Sequence, residues 1–217
     1  MSLYRLADFI RFNMQEGLDY KGSIAEEYLK NNKQSDYIGC VPVVNFKLLK
    51  NIVDSRKKPP EQDTISIHIR LGDILSELIY QNNLPSFPDI VSKHNLHKKY
   101  KNCSIYYGNH KIGRPDANVD KSETILNNIV TELTDMGLTT KIVSNSADDD
   151  FVSLSTCLCY ISGIKGFGWL SASINPNTVY WDVHDVPNFS WMRQLRPLQR
   201  RSLMKGYNYH LSIKTNK

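Results

Sequence analysis

Three stretches of this sequence carry residue types that could do chemistry. The first is His68-Ile-Arg70-Leu-Gly72-Asp73. Arginine is always charged, and its planar fork of donors matches phosphate oxygens in pairs. His68 and Asp73 beside it are able to carry a proton. The plain alternative for Arg70 is an ion pair with Asp73 across a turn. The second stretch is Gly163-Ile-Lys165-Gly166-Phe167-Gly168-Trp169. Glycines there let backbone N–H groups approach an anion, and a helix opening behind them adds its own free N–H groups and dipole. The third runs from Asp148 to Ser155 and starts with three consecutive acids. An Asp-x-Asp pair can hold a divalent cation against a nucleotide diphosphate. Acids in the first turn of a helix also cap it and offset its dipole, and that is the expected role here.

Other reactive residues are less suggestive. Cys40, Cys103, Cys157 and Cys159 have no metal-site spacing, so buried free thiols are expected. His94, His97 and His110 fit no metal motif and read as solvated surface groups. The net charge is +5, and Arg193, Arg196, Arg200, Arg201 and Lys205 concentrate positive charge near the end. A mild excess of this kind suits an anionic small ligand as well as a surface, and no nucleic-acid module is present, so no nucleic-acid partner is expected. No apolar run approaches the ~18–20 residues of a membrane span. Asp8 and Arg11 interrupt any secretory core. With free thiols, this predicts a cytoplasmic setting.

The elements that must position these residues can be read from periodicity. At 217 residues, with 41% hydrophobic and 23% charged, the chain has enough apolar material for one sizeable domain. Leu6, Phe9 and Ile10 predict a first short helix over 3–15. Ser23-x-x-Glu26 is a capping box opening a second, to about Lys30. Residues 37–44 read as a short strand broken by Gly39 and Pro42. A helix then carries Phe46, Leu49, Ile52 and Val53 on one side. The charged connector from Arg56 to Asp63 marks a boundary. It divides a small, mainly helical part (1–60) from a larger part (61–190) that holds all three stretches, with a basic segment (191–217) behind.

Thr64–Asp73 is the central strand, with Ile65, Ile67 and Ile69 on one face and a tight turn at Gly72–Asp73. Residues 74–80 predict a helical turn, and 81–102 a long polar connection. Strands follow over 104–107, 140–143, 160–162 and 178–181. Between them lie a long helix opened by Asp120-x-x-Glu123, a helix behind Asp148–Asp150 carrying Phe151, Leu154 and Leu158, and a helix from Trp169. This alternation predicts an α/β fold, a Rossmann-like and mostly parallel sheet flanked by helices. The carboxyl edge of such a sheet is where ligands bind, and all three stretches converge on it.

Taken together, the stretches resemble a known family. His68-x-Arg70-x-Gly72-Asp73 resembles the His-x-Arg-x-Gly-Asp motif of α-1,2-fucosyltransferases, which belong to a wider group with GT-B folds. Asp150-Phe151-Val-Ser-Leu154-Ser155-Thr-Cys157 resembles that family's Asp-Phe-x-Leu-Met-Ser-x-Cys segment. Gly166-Phe167-Gly168-Trp169-Leu-Ser-Ala172 resembles its Ser-Phe-Ser-Trp-Trp-Gly-Ala block, with glycines where the family has serines. The likeness runs from about Ile65 to Trp181. It implies an inverting transfer from GDP-fucose to a glycan hydroxyl, without metal or other cofactor. Arg70 would meet the donor diphosphate, with His68, Gly72 and Asp73 in the same pocket. Asp150 and Ser155 of the second block and Gly166, Phe167, Gly168 and Trp169 of the third would line the donor site. His68 and Asp73 are the nearest candidates for a general base.

A GT-B enzyme has two Rossmann-like domains, and the residues before Thr64 are too few for a second one. The expectation is therefore a reduced or single-domain GT-B-like architecture, or an acceptor side supplied by another domain or chain. Neither the arginine nor the glycine turn touches the sugar, so another 6-deoxyhexose donor such as rhamnose stays open. So does a non-catalytic nucleotide-sugar-binding domain.

Overall fold

Ile65, Ile67, Ile69 and Leu71 alternate along a β-branched run, and in the computed structural model each is 1% exposed or less. The structure describes residues 24–31, 37–38, 41–42, 46–72, 75, 86–110, 119–163 and 165–181. The first predicted helix, Asp73 and the basic segment 191–217 lie outside them. Two helices, α1 (Ile24–Asn31) and α2 (Phe46–Arg56), flank a small antiparallel hairpin of β1 (Tyr37–Ile38) and β2 (Val41–Pro42) in sequence. The central strand β3 (Thr64–Gly72) follows. Next come α3 (Phe87–Lys93), a 3-10 turn (Leu96–Lys98), β4 (Asn102–His110), α4 (Val119–Asp135) and β5 (Thr139–Val143). The last described elements are α5 (Ala147–Thr156), β6 (Cys159–Ser162), α6 (Lys165–Ile174) and β7 (Thr178–Trp181).

The main sheet has five strands in the order β5-β4-β3-β6-β7, and all its pairings are parallel. Parallel neighbours need crossovers, and the helices supply them on both faces. The odd-numbered residues of β3 pack with Phe87, Ile90 and Val91 of α3 and Leu126, Ile129 and Leu133 of α4. The opposite face buries Tyr106, Leu154, Tyr160, Ala172 and Val179. The α/β fold with a parallel, helix-flanked sheet is therefore as the periodicity predicts. Among the described residues, no helix is long and apolar enough to cross a membrane.

Outside α5 and α6 lies a further layer. Ile24 and Tyr28 of α1 and Leu49, Ile52 and Val53 of α2 share one apolar cluster with Phe151, Val152, Leu170 and Ile174. Polar contacts fasten it. The Ile24 N–H donates to Asp148 Oδ2 at 2.7 Å. Arg56 reaches Glu27 at 2.7 Å and Asp148 at 3.3 Å.

Some local expectations change. The polar stretch 81–102 contains α3, whose start is capped by Ser86 accepting from the Asp89 N–H. The signal was Ser86-x-x-Asp89 ahead of Phe87, Ile90 and Val91, obscured by Pro88, which is tolerated in a first turn. His94 is half-buried, its ring 4.6 Å from that of Tyr180, and is not a solvated surface group. The stop of α4 is as predicted. Gly137 adopts φ +88°, and the Leu138 N–H closes on the Leu133 carbonyl at 3.2 Å.

Candidate functional site

In open α/β sheets the ligand crevice lies outside the carboxyl ends of the strands, where the strand order reverses. Here that point falls between β3 and β6. The chain leaves β3 toward β4 and β5 on one side, then returns through α5 to β6 and β7 on the other. Strand β4 follows β3 all the way to Gly72, whereas β6 pairs with it only from Ile65 to Ile67. Beyond Ile67, the β6 side of β3 is met by Gly163 and the start of α6. His68 stands there on β3, with Arg70 and Gly72 further along the strand.

His68 lies under the first turn of α6 and is 6% exposed. Its ring centroid is 5.2 Å from that of Phe167, which in turn meets Phe151 edge-on at 5.5 Å. Two glycines make this approach feasible. A Cβ on Gly163 would fall 2.1 Å from the His68 carbonyl oxygen. One on Gly168 would fall 2.7 Å from both His68 Nδ1 and the Gly163 carbonyl oxygen, and 3.1 Å from Ser162 Oγ. The sequence reading places the glycines in an anion-cradling turn. The structure instead starts α6 at Lys165, so Gly166 and Gly168 are helical and Gly168 serves close packing.

The first four N–H groups of an α-helix have no acceptor within it. Among the described residues of α6 these belong to Lys165, Gly166 and Phe167. Below them, the Tyr160 hydroxyl lies 2.8 Å from Ser171 Oγ and donates to the Gly168 carbonyl at 3.3 Å. Burial pushes the Tyr160 phenol well above its usual value, so it stays a neutral donor. Sequence reasoning missed Tyr160 and Ser171, because a strand tyrosine and a helix serine show their pairing only once the fold joins them.

Arg70 is half-buried, two residues beyond His68 on the same strand. Gly72 takes φ +81°, and its N–H donates to Ser122 Oγ of α4 at 3.1 Å. This left-handed conformation favours glycine, and the rest of the expected turn, at Asp73, lies outside the described residues. Arg70 also borders a cavity of about 180 Å³ on the opposite face, floored by Ile69, Leu71 and Phe87 and rimmed by Asn128 and Glu132. That cavity lies between α3 and α4, away from His68 and α6.

The acidic triplet has structural partners. Asp148 accepts from Ile24 and pairs with Arg56. Ser146 caps α5 by accepting from the Asp149 N–H at 3.1 Å, and its hydroxyl donates to Asp149 Oδ2 at 2.6 Å. Asp150 accepts from Asn145 Nδ2 at 3.0 Å. Burial pushes the Asp150 carboxyl up, against the pull of its Asn145 bonds. Ser155 is 1% exposed, and its Oγ has no hydrogen-bond partner among the described residues. It lies on the buried side of α5 with Phe151, Val152 and Leu154.

His68, Phe167 and Gly168 are thus brought into contact, and Gly166 sits in the turn above. Arg70 and Gly72 lie on the same strand end, Asp150 next to Phe151 on α5, and Ser155 inside the protein. Trp169 is in α6, and nothing further is described of its side chain. Asp73 is outside the described residues. No family model matches this chain, and neither a curated protein nor a solved structure matches it. The fucosyltransferase resemblance accordingly stands on the three sequence blocks.

Proposed function

We propose that this chain binds the diphosphate of a nucleoside-diphosphate sugar, GDP-fucose foremost, and transfers the deoxyhexose to a glycan hydroxyl with inversion. The observation that carries the reading is the strand-order reversal between β3 and β6, the usual place of a ligand crevice. There the opening turn of α6 packs on His68 where β6 leaves β3 unpaired, and Arg70 follows two residues further along the strand. Rupture of the sugar–phosphate bond leaves an oxocarbenium-like sugar and builds negative charge on the diphosphate. A fixed guanidinium and aimed N–H groups stabilise that charge without a metal. The described part corresponds to the donor half of a reduced GT-B-like architecture, with the acceptor side contributed by residues or a chain beyond it.

Calorimetric titration with GDP, UDP and dTDP in the presence of EDTA tests the proposal. GDP binding is expected. Binding of none of the three contradicts the donor site, and a requirement for Mn²⁺ shifts the role to the acids of α5. One observation favours a second reading, a nucleotide-sugar-binding domain without transfer: His68, a general-base candidate, is buried beneath Phe167 and Gly168. Release of free fucose, or its transfer to a glycan, separates the two. Replacing GDP-fucose by another 6-deoxyhexose donor such as a rhamnose nucleotide leaves the diphosphate contacts unchanged.

A further inference from the structure

We infer that His68 is a positioning residue: it sets the height at which the first turn of α6 stands beside the end of β3, and acts through Gly163 and Gly168. The inference rests on the diphosphate reading above and assigns His68 a role within it. Three pieces of chain meet at this histidine. They are its own strand, the Gly163 linker and the inner side of α6, with Phe167 closing over the ring. Two of the three atoms nearest the Gly168 position are the Gly163 carbonyl oxygen and the nitrogen of a buried ring. Neither is the far end of a flexible side chain, so a methyl group there lifts the helix turn. The N–H groups of residues 165–167 would move with it. Hydrogen bonds weaken steeply with length and angle, and a misplacement of about 1 Å at a reacting centre costs on the order of 10²-fold.

The test compares GDP with GMP, because only GDP carries the diphosphate that the opening turn of α6 is proposed to hold. For Gly168→Ala, calorimetry should show GDP affinity falling about tenfold or more while GMP affinity changes little. Adding His68→Ala to that variant removes the ring contact, though not the one to the Gly163 carbonyl oxygen, and should restore part of the GDP affinity. His68→Asn, a smaller polar side chain, should produce the same GDP-selective loss, and it serves if Gly168→Ala does not fold. Circular dichroism and thermal melting check each fold. Equal loss of GDP and GMP affinity, or no recovery in the double variant, overturns the positioning role while leaving the diphosphate site standing. Absence of GDP binding by the unsubstituted chain overturns both.

Discussion

Cys103, Cys157 and Cys159 are buried free thiols whose pKa values burial pushes up to about 12. The thiolate is the reactive species, so at pH 8 only roughly one such group in ten thousand is competent to react. In a Cys40→Ser background, an aromatic disulfide reagent should label none of the three in the native protein and all three after unfolding in guanidinium. Prompt labelling of the native chain would contradict their burial. The same burial was legible in the sequence, since no metal spacing offered the cysteines another role. The left-handed backbone at Gly72 was legible too, from a glycine that closes a β-branched run. The reason for Gly168 was not. Its neighbours His68 and Gly163 lie on other elements, and a glycine in the text does not say whether it wraps a ligand or admits a ring.

At the scale of elements, α1 and α2 serve as an outer layer on α5 and α6. Leu49 is 2% exposed within that cluster. Leu49→Ala should lower stability by about 2–5 kcal/mol, read from urea unfolding, and shift one common transition. Two separate transitions, with the sheet unaffected, would make the helix pair an independent appendage. The helices themselves follow from spacing and caps, and the strands from alternation, as β3 and α4 show. What spacing could not show is that Asp148 of α5 takes the N–H of Ile24, 124 positions away. A carboxylate in a first turn offsets the dipole of its own helix and is equally free to cap another. The helix at Phe87 was obscured by a proline and polar neighbours, and α6 begins before the glycines that suggested a longer turn.

Over the whole molecule, strand order decides where a ligand can sit. Alternation of strands and helices predicts a parallel sheet, but the order β5-β4-β3-β6-β7 is a long-range property that no local pattern encodes. That order brings His68 of β3 against the start of α6 and so joins two separate motifs at the strand-order reversal. The cavity between α3 and α4 is the competing location, since Arg70 borders it as well. Amide chemical shifts of the ¹⁵N-labelled protein, followed during a GDP titration in EDTA, distinguish the two most directly. The account predicts that the largest shifts fall on residues 165–167 of α6 and on Arg70 to Gly72. Shifts confined to α3 and α4 around Phe87 and Asn128, or no shifts at all, would contradict it.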